Sequence, residues 1–468
     1  MPTDPSNTDR SRSAPGMRVI LIIGLLIYAA GIAVAGIAQS GFDIAAAAIR
    51  VAGLAMLAIV TAKRRSLTVW TFFAILAGAE LGADAPGGAV HLHVLAEIFL
   101  RLVRVIVAPL ILGTLTTGIA GHAQLKSLGR VALKTLLYFE IVTTLALLLG
   151  AVAINLSRAG EGVVVPPSLL AQEPSTGTAQ HPGIESFLLN VFPENLALAV
   201  AQNQILQVAV FSILLGVALA LLTEEKRAPM MAFLNSMTAA MFQVTKLIMY
   251  FAPVAAGAAL AYTVGSMGLG TLLPLAKLLA TFYGALVALL LLVFVPVILL
   301  MRIPLRGFVR AVSEPTAIGF ATSTSESALP LAMERMEEFG VPRWVVSFVI
   351  PSGYSFNMTG SSLYLSTASI FAAQVAGIHL TFGQQAIMLL TLMLTSKGIA
   401  GVPRATLMIL LSTAASFHLP SAPILMILGV DALIDMGRTA LNVAGNCLAA
   451  AVVGKWESNG PMAEELPS

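Results

Sequence analysis

DALIDMGRTALNVAGN, residues Asp431–Asn446, is the stretch that decides how this chain is read. Apolar residues surround six polar or ionisable ones: Asp431, Asp435, Arg438, Thr439, Asn442 and Asn446, at offsets of 0, 4, 7, 8, 11 and 15 positions. On an α-helix with about 3.6 residues per turn, those offsets fall within an arc of about 100°. A charged side chain at the centre of a bilayer costs about 2.5–3.5 kcal/mol on insertion scales. A face holding two aspartates and an arginine must therefore turn towards protein or water. It reads as the wall of a ligand pathway.

The rest of the chain supplies the membrane setting. Of 468 residues, 57% are hydrophobic and 10% charged, with a mean hydropathy of +0.90. Soluble domains carry about 25% charged residues, so an all-α polytopic membrane protein is expected. The net charge of +3 reflects basic residues at helix ends and gives no reason to invoke nucleic acid. Cys447 is the only cysteine, which excludes an intrachain disulfide and a cysteine-based metal site. The six histidines form no HExxH-type ligand set, and His122 and His418 sit near span ends. No metal, no cofactor and no enzymatic Ser/His/Asp set is expected.

Apolar spans occur near 17–38, 44–62, 67–83, 94–120, 128–155, 186–222, 231–265, 271–301, 343–377 and 422–453. The first has a basic flank (Arg10, Arg12, Arg18), but its apolar run exceeds the roughly 7–15 residues of a signal-peptide core, so it reads as a retained helix. Residues 1–16 and 456–468 are expected to be disordered tails. Basic residues at Lys63–Arg65, Lys126, Arg130, Lys134, Lys226, Arg227, Arg302, Arg306, Arg310 and Lys455 all fall on one side if the N-terminus is cytoplasmic. The linker 156–184 then lies outside.

Two segments do not fit as full spans. Residues 306–338 hold two short apolar arms around ATSTSESALP, and 382–420 hold two arms broken between Lys397 and Arg404. Each reads as a re-entrant hairpin, and each is followed by a long helix with a polar patch, Asn357–Ser362 and then Asp431–Asn446. The first hairpin enters from the cytoplasm and the second from outside. Paired interrupted segments of this kind point to inverted repeats and to a transporter site near the midplane.

Two readings apply to Asp435 and Arg438: an intrahelical ion pair that neutralises both, or a ligand pair in which Arg438 takes a substrate carboxylate and Asp435 an ammonium. ATSTSESALP reads either as a turn capping the next helix, with Glu326 in its first turn, or as a tip whose backbone touches ligand. In NMTGSS, Gly360 is expected to break the helix and expose carbonyls to a small cation, against a plain helix-packing patch. Glu140, in LLYFEIVTTLALLLG, is expected to be a lone buried carboxylate and a candidate proton carrier.

From about Leu67 to Glu457 the chain resembles the dicarboxylate/amino acid:cation symporter family, which includes the glutamate transporters. The resemblance rests on ATSTSESALP, NMTGSS, SKGIAGVP, DMGRTALNVAGN, NVFPENLALAVAQNQILQVAVF and LLYFEIVTTLAL. It implies a homotrimer in membrane lipid, in the bacterial inner membrane, working as an elevator. The scaffold would be 67–120 and 186–265, and the transport domain 128–155 and 271–453. Residues 17–62 form an extra N-terminal helical hairpin outside the resemblance. By motif position, Ser323, Ser325 and Val402 would touch substrate through backbone, and Ser361, Asp435, Arg438, Thr439 and Asn442 through side chains. One cation site would use Gly353, Asn357, Asn442 and Asn446, and a second Ser355, Ser396 and Ile399. Two cation-binding aspartates of the family are Thr359 and Asn446 here, which favours H+ over Na+ as coupling ion. Arg404 stands where it could replace an arginine that the family often carries at Ser323. The implied activity is symport of glutamate or aspartate, with C4-dicarboxylate transport, sodium-coupled amino acid transport and a non-transporting sensor as alternatives.

Overall fold

The computed structural model describes residues 23–30, 43–64, 67–120, 129–163, 192–202, 205–395, 405–417, 419–420 and 422–457. Every regular element among them is helical. Helices α1 (Asp43–Arg64), α2 (Leu67–Asp84), α3 (His93–Ala120) and α4 (Gly129–Ser157) open the chain. Then come α5 (Ile205–Leu221), α6 (Glu224–Met249), α7 (Ala252–Met267) and α8 (Leu272–Leu289). Two hairpin arms, α9 (Leu305–Thr322) and α10 (Ser325–Glu338), precede α11 (Arg343–Phe356) and α12 (Thr359–Val375). Two more arms, α13 (Phe382–Thr395) and α14 (Ala405–Ser416), precede α15 (Ala422–Leu428) and α16 (Asp431–Glu457).

Several expected spans are composite, and the sequence shows why. The 231–265 span is two helices, α6 and α7, bent by 49° where Pro253 opens α7; a proline ring cannot donate to the ladder and suits a helix start. The 271–301 span continues from α8 through a π-helical turn, Leu290–Phe294, into Val295–Leu300, where Pro296 sits in the first turn. In 343–377 the helix stops at Phe356 and restarts at Thr359. The last helix runs to Glu457, so Trp456 and Glu457, expected in a disordered tail, are helical. The Glu457 carboxylate accepts from Lys134 Nζ at 2.5 Å, and the Trp456 ring meets Tyr138 edge-on. Among the described residues, 86–117, 133–157 and 269–300 are each long and apolar enough to cross a bilayer alone, and α6 with α7 pass together.

The helices pack in two groups. α2, α3, α5, α6 and α7 contact one another, and α4, α8 to α12 and α16 contact one another. Helix α12 is buried along nearly its whole length, including Tyr364, Ser362, Ser366 and Thr367. Ahead of both groups, the N-terminal segment docks on α2. Arg50 of α1 ion-pairs with Glu80 and, at 2.9 Å, with Asp84, while the Tyr28 hydroxyl donates to Glu80 Oε2 at 3.1 Å. The 156–184 linker falls largely outside the described residues.

Candidate functional site

The first hairpin turns at Ser323, whose φ of 53° and ψ of 25° place it in the left-handed region. A non-glycine residue pays about 1–2 kcal/mol there. The turn is held by its hydroxyls: Thr322 Oγ1 lies 2.7 Å from Ser327 Oγ, Thr324 Oγ1 donates to Ser327 Oγ at 3.1 Å, and Ser327 Oγ donates to the Thr324 carbonyl at 2.8 Å. Thr324 is the N-cap of α10 but makes no side-chain cap bond, so the cluster locks the tip rather than capping the next helix. At the hairpin base, Arg335 bridges the arms, reaching Glu314 at 2.7 Å and Glu338 at 2.8 Å.

In α11 and α12 the break falls at Asn357 and Met358, two residues before the expected position. Gly360 does not break helix. It lies in the first turn of α12, where a Cβ would stand 2.3 Å from the Arg438 carbonyl oxygen. Only a hydrogen at that Cα lets α12 lie against α16 so closely. Gly353 has the same role against Asn446, whose Oδ1 a Cβ would meet at 2.4 Å.

That contact brings the polar stripe of α16 against the broken helix. All six stripe residues are buried, none more than 6% exposed. Asn442 Oδ1 accepts from the Gly360 N–H at 2.8 Å, and its Nδ2 donates to Ser361 Oγ at 3.2 Å. Asn357 Nδ2 donates to Asn446 Oδ1 at 3.0 Å, and Thr359 Oγ1 donates to Asn357 Oδ1 at 2.9 Å. One end of the site is thus a neutral amide and hydroxyl network.

The other end is charged. Arg438 Nε donates to Asp435 Oδ1 at 2.7 Å, so the intrahelical pair forms. The Arg438 guanidinium also lies over the Tyr364 ring, 5.0 Å from its centroid, and its Nη1 is 3.7 Å from Asp431 Oδ1. The Tyr364 hydroxyl donates to that same Asp431 oxygen at 3.0 Å. Among the described residues, Arg438 Nη1 has no hydrogen-bond acceptor, nor does Asn446 Nδ2 have one. A buried donor left unmade costs about 1–3 kcal/mol and more on a charged group.

A narrow cavity of about 30 Å3 lies between the two ends. Ser323, Ser325, Gly353, Asn357, Ser361, Asp435, Arg438, Thr439, Asn442 and Asn446 all line it, together with Thr324, Tyr354, Met358 and Thr406. Most residues singled out from sequence therefore meet in one place. Val402, Arg404, Ser396 and Ile399 lie outside the described residues, and Ser355 is placed only by its backbone in α11. Glu140 differs from expectation: it is half-buried on α4 and does not line the cavity. Tyr364 was the main omission. It lies one turn after Gly360 and Ser361 in the serine-rich helix α12, four and three residues on, a spacing that puts them on one face. Among the described residues, no group of three or more His, Cys, Asp or Glu side chains is placed to hold a metal ion.

A buried, charged groove made from a broken helix, a re-entrant tip and a polar stripe defines a multi-pass, all-α membrane transporter rather than an enzyme. Residues 67–456 match the description "Sodium:dicarboxylate symporter family", and the chain belongs to that family. It is 37% identical over 393 residues to the proton/sodium-glutamate symport protein of Geobacillus stearothermophilus, covering 82% of this chain and 93% of that one. It is 40% identical over 367 residues to the proton/glutamate-aspartate symporter of Escherichia coli (strain K12), covering 77% and 84%. It is also 40% identical over 397 residues to the C4-dicarboxylate transport protein of Anaeromyxobacter sp. (strain K), covering 84% and 90%.

Proposed function

We propose that this symporter carries glutamate or aspartate together with protons. The supporting observation is the buried Asp435–Arg438 pair on the cavity wall, with Arg438 Nη1 lacking an acceptor. A substrate carboxylate can take the guanidinium at Nη1, which stands 3.7 Å from Asp431 Oδ1, in the planar geometry that arginine favours. A substrate ammonium can take Asp435 when the intrahelical pair opens. A dicarboxylate without an amine would satisfy Arg438 and leave Asp435 uncompensated, which is why an acidic amino acid fits better than a C4-dicarboxylate. Relatives named for both substrate classes leave the choice to the residues.

Charge balance supports cation coupling. In their ordinary ionised forms Asp431 and Asp435 exceed Arg438 by one negative charge, and an acidic amino acid adds another. Co-bound cations would offset that excess, since unpaired buried charge costs several kcal/mol. The neutral end offers amide and hydroxyl oxygens of Asn357, Thr359 and Asn446 without a carboxylate, a poor match for a hard metal cation held by anionic oxygen. The relatives' names include both ions.

The working unit in this reading is a homotrimer in the lipid of a bacterial inner membrane, with the N-terminus cytoplasmic. The helix group of α2, α3 and α5 to α7 acts as scaffold, and the group of α4 and α8 to α16 moves as an elevator. Competition in proteoliposomes tests the cargo: unlabelled aspartate and glutamate should suppress labelled aspartate uptake at lower concentrations than succinate does. Stronger competition by succinate would reverse the substrate assignment.

A further inference from the structure

A second, larger cavity of about 740 Å3 adjoins the site and shares Ser323, Thr324 and Asp435 with it. Its far wall is built from α2, α6 and α7, so it is a vestibule between the two helix groups, opening onto the hairpin tip. Under the topology read from the basic loops, Leu67 in its lining puts the mouth on the cytoplasmic side.

The lining carries two charged side chains, of opposite sign. Asp435 lies at the inner end, and Lys246 of α6 stands on the far wall beside Gln243 and Thr71. Lys246 is exposed and makes no ion pair with any described residue. An acidic substrate approaching Arg438 by this route brings net negative charge towards a cluster in which two aspartates outnumber one arginine, and a low-dielectric wall strengthens that repulsion. We propose that Lys246 is an outer docking residue, which pairs with one carboxylate of the incoming acidic substrate and passes it to Arg438. This rests on the acidic-substrate reading above and adds a residue far from the stripe to it.

A charge in such a vestibule acts on encounter, so the sensitive quantity is kcat/KM measured from the cytoplasmic face. Electrostatic guidance changes association by about tenfold or more. The native chain has a single cysteine, Cys447, which is 1% exposed, so Lys246→Cys provides one accessible thiol. In inside-out vesicles, labelling it with a cationic aminoethyl thiosulfonate should preserve kcat/KM for aspartate, while an anionic sulfonatoethyl reagent should lower it about tenfold. Excess aspartate should slow the labelling. If that variant fails to assemble, Lys246→Gln and Lys246→Arg give the same comparison: loss in the first, greater at low ionic strength, and retention in the second. Equal kcat/KM for both adducts, or for Gln and Arg variants and the parent protein, overturns the docking role. Failure of the parent protein to move any acidic substrate would instead overturn the proposed function, and this inference with it.

Discussion

The two ends of the α16 stripe present the same backbone to the same cavity, yet their chemistry differs. At one end, Asp431, Asp435 and Arg438 form a charged cluster braced by Tyr364. At the other, about two turns on, Asn446 meets Asn357 and Thr359 in a network of neutral groups. Under the proposed function, the contrast teaches that recognition and coupling are separable along one helix. In that proposal the charged end selects what is carried, by offering a carboxylate partner and an ammonium partner. The neutral end is proposed to limit which ion can travel with it.

Substitutions can break this comparison from either end. The largest effect is expected from Arg438→Ala, which removes the carboxylate partner and leaves two buried aspartates without their cation. Uptake of acidic substrates should fall by at least about 100-fold, the scale of about 3 kcal/mol or more for breaking a buried charged pair. Retained uptake would remove arginine from recognition. Next comes Asp435→Asn, which keeps the shape but loses the ammonium partner. Labelled aspartate uptake should drop by about 100-fold while succinate uptake changes by less than about threefold, since an interaction with charge carries about 1.5–3 kcal/mol. A parallel loss of both would mean that Asp435 serves only to hold Arg438.

The neutral end is sharpened by Asn446→Asp, which introduces a carboxylate beside Asn357. Sodium should then stimulate uptake at about tenfold lower concentration, because a hard cation gains an anionic oxygen. No change in sodium response would move the coupling site elsewhere. Tyr364→Phe keeps the ring over Arg438 and removes its hydroxyl bond to Asp431. A five- to tenfold rise in KM is expected, corresponding to about 1–1.5 kcal/mol. An unchanged KM would confine Tyr364 to packing. The smallest effect belongs to Lys134→Ala, which breaks the tie to Glu457 at the edge of the bundle. The Glu457 side chain is only 3% exposed, so transport should be unaltered while thermal stability falls by about 1–3 kcal/mol.

Much of the site could be read before the structure, because its residues obey short-range rules. The stripe is a matter of helical periodicity, and the first hairpin declares itself through a dense run of serines and threonines between two short apolar arms. What could not be read depends on contacts across helices. Gly360 looks like a helix breaker in sequence, but its lack of a side chain serves the approach to Arg438, a partner 78 positions away. Tyr364 looks like an ordinary apolar-helix tyrosine until α12 is laid against α16. Glu140 misled in the opposite sense: an apolar neighbourhood in sequence implied burial, yet α4 turns that residue to a half-buried position away from the cavity. The continuation of α16 to Glu457 brings that carboxylate onto Lys134, more than 300 residues earlier, a contact that no local pattern reveals.

The central claim is that the charged end selects an acidic amino acid while the neutral end couples it to protons. Its most direct test is uptake of labelled aspartate into proteoliposomes under separately imposed gradients. An inward proton gradient without sodium should drive accumulation, and an inward sodium gradient at equal pH should not. Accumulation driven by sodium alone would contradict the account.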